Sequence, residues 1–284
     1  MIMLRLEVLP SLNMYLPRAS WLLAACMGAV IEASGILEVD LVFPRNETYA
    51  PTDKFPVVFA FQNAERAEYL NPSIYYQVWN LQTGNRSWPL DHILGWNNWN
   101  ESTYLAHNFL GFPEKAGPYK VSWTLTWQSC DQDAFENPDR RPRMINNSTT
   151  WATFFTIDSS APKVDLVAAT ANNTCPGEYG VVINVTDKTF NVPSSVRWSG
   201  GKWTNYTCAV VAKSTPAPTP DPCQVHIDKA AVSSMEASLT ARICRGIDPP
   251  DYCPKHKSSA TKQLAVAGVT CLLAVIGALG FFLA

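Results

Sequence analysis

Residues 36–43 read ILEVDLVF, and the alternation within them decides the fold class. Leu37, Val39, Leu41 and Phe43 fall on one face of an extended chain, with Glu38 and Asp40 on the other. A period of two marks a strand buried on one side. Strand-like runs recur at residues 55–61 (FPVVFAF), 74–81 (IYYQVWNL), 119–127 (YKVSWTLTW) and 149–157 (TTWATFFTI). They are short and rich in aromatic and β-branched residues, and turn formers such as Pro44 and Pro51 lie between them. No long helical periodicity interrupts them. The expectation is an all-β fold, an immunoglobulin-like β-sandwich over residues 36–160.

Past Pro162 the texture changes. Residues 161–212 suggest two or three further strands framed by Cys175 and Cys208, either continuing the same core or forming a second domain. Residues 213–222 (KSTPAPTPDP) read as a proline-rich, extended spacer. Residues 225–244 are a short C-terminal helix candidate, because Ala230, Ala231, Met235, Leu239 and Ile243 recur at helical spacing and Gly246 can end it.

Both ends read as targeting segments. Residues 1–35 look like a signal peptide: Arg18 precedes the apolar run 21–31, and Ala33, Ser34 and Gly35 place a cleavage site before Ile36. Met14 would begin a tidier leader than Met1. Residues 259–284 end in an uncharged apolar run, 264–284. Ser258 and Ser259, a weakly polar spacer and that tail match a GPI-attachment signal. The competing reading is a hydrophobic transmembrane tail helix.

The cysteines and sequons agree with export. Removing the two ends leaves Cys130, Cys175, Cys208, Cys223, Cys244 and Cys253. An even set in an oxidising compartment points to three disulfides, and fifteen pairings are open. Cys223 and Cys244 bracket the helix and lie too far apart to pair directly, so each must staple it to something else, such as Cys253 or the β body. Zinc is the poorer reading, since no C-x-x-C occurs and the histidines are scattered. Glycosylation sequons begin at Asn46, Asn85, Asn100, Asn146, Asn147, Asn172, Asn184 and Asn205. Asn146 and Asn147 are adjacent, so one of the two is used.

The charge excludes some partners. The net charge is −2, with 16% charged residues, which offers no electrostatic footprint for nucleic acid. The expected location is the extracellular face of the plasma membrane or the cell wall. The partners expected there are the membrane, through a lipid anchor or the C-terminal helix, and wall polysaccharide.

Reactive constellations are missing. The sequence holds no G-x-S-x-G, no P-loop, no G-x-G-x-x-G and no H-E-x-x-H. A copper polysaccharide oxidase needs histidine as its first mature residue, where Ile36 stands. A glycosidase needs only two carboxylates ~5–10 Å apart, a requirement no sequence pattern excludes. No catalytic residue, metal or cofactor is assigned. Asp131, Asp133 and Glu136 cluster oxygen ligands after Cys130, but they lack the glycine and distal glutamate of an EF-hand. Arg140, Arg141 and Arg143 follow closely, so a self-neutralised solvated loop is the better reading than calcium.

Tryptophan is the most suggestive residue type. Trp79, Trp123, Trp127 and Trp151 sit in strand-like runs and are expected to fill the core. Trp88, Trp96 and Trp99 differ, lying in the turn-rich stretch 87–100 (SWPLDHILGWNNWN) beside Asn and Asp. Aromatic faces beside amides suit sugar rings, so these three are the carbohydrate-binding candidates. The alternative is a satellite cluster packing the loop onto the sandwich. Trp198 and Trp203, around Gly200 and Gly201, form a second candidate.

Four stretches carry a resemblance: residues 36–63, 175–186 (CPGEYGVVINVT), 198–208 (WSGGKWTNYTC) and 220–253 with its DPPDYC ending. Together they resemble a family of secreted filamentous-fungal proteins grouped as a domain of unknown function. The resemblance implies a fungal extracellular protein, often tail-anchored, and brings no catalytic residues. The functional expectation is a non-catalytic structural or binding role at the cell surface, with wall carbohydrate as the ligand. The alternatives are a secreted carbohydrate-active enzyme with an unseen carboxylate pair, and a protein–protein interaction module.

Overall fold

The opening stretch forms β1 (Ser34–Phe43), and eleven more strands follow among the described residues: β2 (Thr48–Tyr49), β3 (Phe55–Gln62), β4 (Ser73–Asn80), β5 (Leu90–Ile93), β6 (Thr103–Leu110), β7 (Gly117–Cys130), β8 (Met144–Ile157), β9 (Gly180–Asn191), β10 (Trp198–Ser199), β11 (Lys202–Trp203) and β12 (Thr207–Val211). The structure is a computed structural model. It describes residues 34–254 except Trp88 and residues 95–98, 112–114, 172–179, 200–201, 204–205 and 213–218. Residues 1–33 of the expected signal peptide, Ser258, Ser259 and the tail helix lie outside the described residues, as do Cys175, Asn172 and Asn205. Ser34 and Gly35, the last two residues of that expected peptide, open β1. No helix among the described residues is long and apolar enough to cross a membrane.

Two five-stranded sheets carry the fold. Sheet one has the order β12-β9-β1-β3-β6, and sheet two the order β2-β8-β7-β4-β5. All pairings are antiparallel except the short β2, which runs parallel to β8. The inward faces share one core. Phe59 of β3 packs on Tyr76 of β4 at 5.3 Å and on Trp123 of β7 at 5.4 Å between ring centroids. Phe55 stacks on Phe155 of β8 at 4.9 Å. Such offset and tilted pairs combine burial of large apolar area with favourable ring electrostatics.

The alternation of β1 is realised as expected on the inner face, where Leu37, Val39 and Phe43 are buried. The outer face departs from the usual solvated pattern, because Glu38 and Asp40 are buried too. Residues 161–212 do not break away at 160: β9 pairs with β1 over Ser34–Asp40, and β12 pairs with β9. These two strands extend sheet one past β1.

Several elements depart from the pattern-based reading. The stretch 87–100 contains strand β5, paired with β4. Strand β6 was hidden because its inward positions read Ala106, Asn108 and Leu110, with a polar residue mid-run. The Asp131 segment is a short helix, α1 (Gln132–Glu136), with Asp131 as its N-cap. Another short helix, α2 (Leu166–Ala171), follows β8. The C-terminal helix α3 (Lys229–Cys244) starts four residues later than its apolar spacing predicts. Asp228 caps it by accepting from the Ala231 N–H at 2.7 Å, while Val225 and Ile227 are buried ahead of it. His226 Nδ1 lies 2.8 Å from the Thr170 carbonyl oxygen, and Ile227 N donates to Thr170 Oγ1 at 2.9 Å, which ties this lead-in to α2.

The disulfides resolve part of the pairing. Cys130 at the end of β7 bonds Cys208 on β12, linking sheet two to the edge of sheet one. Cys244 bonds Cys253, so the end of α3 is stapled to the segment after it. Cys223 is disulfide-bonded as well, and to none of these four.

Candidate ligand-binding surfaces

The tryptophans are not arranged as their sequence context suggests. Trp99 is only 5% exposed, and its ring packs at 5.3 Å on Phe61 and at 5.3 Å on Tyr104. It is a core residue, packed at tilted and edge-on angles against other rings, with little surface left for a sugar. Trp88 and Trp96 lie outside the described residues. Trp198 and Trp203 are backbone register partners in the β10–β11 pair. Trp79, expected in the core, is displayed instead at 37% exposure, and Trp127 and Trp151 are half-buried. Only Trp123 of the four strand tryptophans is fully buried.

The reason is register. In β4, Ile74, Tyr76 and Val78 point inward, so Tyr75, Gln77 and Trp79 share the outer face. Opposite Tyr75 stands Thr124, whose hydroxyl lies 2.8 Å from that of Thr150 on β8. Opposite Gln77 stands Ser122, and opposite Trp79 stands Lys120. Tyr75 is 45% exposed, and Phe154 of β8 adds a third displayed ring at 48%. Arg86 lies over the Trp79 ring at 5.8 Å, a cation–π distance. Sheet two thus displays aromatic rings interleaved with hydroxyls and an amide.

A separate pocket opens where the sheet edges β5 and β6 meet α3. It has a volume of about 210 Å³, and its lining includes His92, Tyr104, His107, Asn108, Phe109 and Arg242. Arg242 Nη2 donates to Asn108 Oδ1 at 2.7 Å, and the Phe109 N–H donates to the same oxygen at 2.9 Å. His92 stacks on Tyr76, with centroids 5.6 Å apart and planes 12° from parallel. Burial, helped by the nearby Arg242 charge, holds both His92 and His107 below the usual imidazole value. Sequence reasoning missed this site, because His92, His107 and Arg242 are far apart along the chain and match no motif.

A third cluster lies on the outer face of β1. The carboxyl groups of Glu38 and Asp40 are buried as neighbours and covered by the segment around Asp221. The Asp221 N–H donates to Glu38 Oε1. Gln62 Nε2 donates to Asp40 Oδ2 at 2.9 Å and to the Asp221 carbonyl at 3.1 Å. Glycosidase carboxyls stand ~5–10 Å apart with substrate between them. Glu38 and Asp40 are in mutual contact and closed over, so they do not form such a pair.

The acidic segment after Cys130 pairs with one of the three expected arginines, Arg143, and with a lysine from another strand. Arg143 pairs with Asp131 and holds its carboxyl below the usual range, while Glu136 pairs with Lys188 of β9. Among the described residues, no cluster of three His, Cys, Asp or Glu could hold a metal ion. Of the described sequons, Asn46, Asn85, Asn100 and Asn146 are exposed, whereas Asn147 and Asn184 are half-buried.

A family pattern described as a domain of unknown function, DUF7136, matches residues 32–253. The chain belongs to this DUF7136 family. The match spans both sheets, α3 and the Cys244–Cys253 staple. No curated protein and no solved structure matches the chain.

Proposed function

We propose that this DUF7136 protein is a fungal, exported, N-glycosylated surface protein that binds cell-wall polysaccharide without catalysis, using the outer face of sheet two. The observation that carries this reading is the pair Tyr75 and Trp79, exposed on one face of β4 with Gln77 between them. Four residues of strand separate them by about 13 Å, a span for several sugar rings rather than one. Exposed aromatic clusters of this kind mark interaction sites. Ring faces take the C–H faces of sugars, and Gln77, Ser122, Thr124 and Thr150 offer hydrogen bonds to hydroxyls.

Export is supported by the disulfides Cys130–Cys208 and Cys244–Cys253, which suit an oxidising compartment. It is supported also by the exposure of four sequons. The anchor is a lipid attached at Ser258 or Ser259, holding the domain at the outer membrane face or in the wall. Phosphatidylinositol-specific phospholipase should release the protein from cells. Retention in the membrane fraction, with a control anchored protein released, would favour a transmembrane tail instead.

We read the sandwich as immunoglobulin-like. The order β8-β7-β4-β5 corresponds to the G-F-C-C′ order of variable-type domains, and β1-β3-β6 to their A-B-E order. Strands β9 and β12 would be additions beyond the first strand.

The test of the binding reading is retention of the full-length protein on insoluble wall glucan, chitin or mannan. Tyr75→Ala with Trp79→Ala should abolish retention while leaving the thermal midpoint nearly unchanged. Equal retention of parent and variant would sink this face as the binding site.

A further inference from the structure

The pocket between β5, β6 and α3 has a chemistry unlike that of the sheet-two face, and no aromatic of that face lines it. Its charge balance is one-sided. Among the described residues of the lining, Arg242 carries the only fixed positive charge and there is no Asp or Glu. No carboxylate among the described residues lies within ion-pair distance of Arg242; Asn108, a neutral acceptor, takes one of its N–H groups. A guanidinium has five donors in a planar fork, so most of this one's capacity is left for a ligand.

The rest of the lining is neutral and polar. Asn108 is 8% exposed and takes one N–H of the guanidinium, which anchors that end of an otherwise exposed Arg242 at the pocket. The buried Nε2 of His92 has no hydrogen-bond partner within the protein. Buried polar atoms ordinarily have a partner, so a ligand or water is called for there. His107 is tied across the helix boundary, with Nδ1 3.5 Å from the Leu105 carbonyl oxygen and a further bond to the Met235 backbone. Tyr104 and Phe109 supply apolar surface.

Size and charge together narrow the ligand. Drug-sized ligands occupy pockets of roughly 300–1,000 Å³. A pocket of about 210 Å³ takes something smaller, on the scale of one sugar ring. A zwitterionic amino acid would bring an ammonium group for which the lining has no acid. A neutral sugar would leave the guanidinium without a counter-charge.

We propose that this pocket binds a single carboxylated sugar, a uronate, with its carboxylate on Arg242 and its hydroxyls on Asn108 and His92. The site is independent of the polysaccharide face on sheet two. It would let one domain hold a neutral wall polymer on one surface and an acidic sugar at the sheet edge.

The test uses the full-length protein titrated with sodium glucuronate and, separately, glucose, followed calorimetrically. Glucuronate should bind at least tenfold more tightly than glucose. Arg242→Gln keeps a donor for Asn108 but removes the charge, and should reduce glucuronate affinity at least tenfold with the thermal midpoint unchanged. Trp79→Ala should leave glucuronate binding intact. The proposal is overturned if glucuronate fails to bind, if glucose binds equally well, or if Arg242→Gln has no effect. Loss of glucuronate binding in Trp79→Ala would also overturn it, by placing the sugar on sheet two.

Discussion

Glu38 and Asp40 stand two residues apart on β1 with both carboxyl groups buried as neighbours, on the face of the strand that alternation assigns to solvent. Two carboxylates in contact repel, so the arrangement requires a proton. Burial first, and then the neighbouring Glu38 charge, push Asp40 up from 3.8 to about 8. Glu38 is raised too, chiefly by burial. Asp221 adds a third negative group beside the two.

The sign of the pH effect follows. An acid whose value is higher folded than unfolded stabilises the fold most below its unfolded value, and the stability is lost as pH rises toward the folded one. The Asp40 contribution to stability, read as the thermal midpoint, should therefore fall between pH about 4 and about 8. It is opposed by His92 and His107, whose lowered values make stability rise with pH as they deprotonate. Asp40→Asn removes the titrating group and should flatten that dependence. Parallel curves for the parent and the variant would assign the pH effect elsewhere.

Gly180 of β9 sits against this cluster. A Cβ there would lie 2.2 Å from Asp40 Oδ1 and 2.4 Å from Pro220 Cβ. Gly180→Ala should push the segment carrying Asp221 off the dyad. Faster amide exchange at Asp221, whose N–H is bonded to Glu38, is the expected readout.

Trp99 and Trp79 should respond in opposite ways. Trp99→Ala empties a buried ring site and should cost about 3–5 kcal/mol of stability. Trp79→Ala removes a displayed ring and should cost little stability but weaken polysaccharide retention. Urea unfolding and pull-down on the same two variants separate the roles, and matching stability losses would contradict the assigned burial.

The two resolved disulfides differ in the chain they close. Cys130–Cys208 spans 78 residues, and Cys244–Cys253 spans 9. Loop-closure entropy makes the first worth about 4.5 kcal/mol and the second about 2.6 kcal/mol. Paired Cys→Ser replacement of the first should lower global stability by more. Replacement of the second should loosen the end of α3. Denaturant midpoints and protease nicking near residue 246 report these two effects.

Glycan occupancy should follow exposure. Asn46, Asn85, Asn100 and Asn146 should carry glycan, while Asn184, half-buried within β9 with its Oδ1 enclosed, should not. Peptide mapping after deglycosylation checks this, and a glycan found at Asn184 would contradict the packing around β9.

The β class was legible in residues 36–43 and in the runs that became β3, β4, β7 and β8, because inward apolar residues at period two leave a direct trace. Strand β6 left no such trace, since Asn108 occupies an inward position where its partners, Arg242 among them, come from the fold. The helix α3 was visible in its spacing, but its start was set by the Asp228 cap. Cys244–Cys253 was among the staples left open, and the choice of Cys208 for Cys130 depended on β12 lying beside the end of β7.

By itself, the sequence determined the β character, the even cysteine set and the membership of residues 32–253 in their family. These are local or additive properties, readable from neighbours along the chain. Only the tertiary structure decided that Trp99 is core and Trp79 is surface, that Glu38 and Asp40 share a covered site, and that Arg242 reaches Asn108 across 134 positions. Which face of a strand is buried, and which distant side chain meets it, depends on sheet pairing and register. Those arise from contacts between segments that local pattern does not specify.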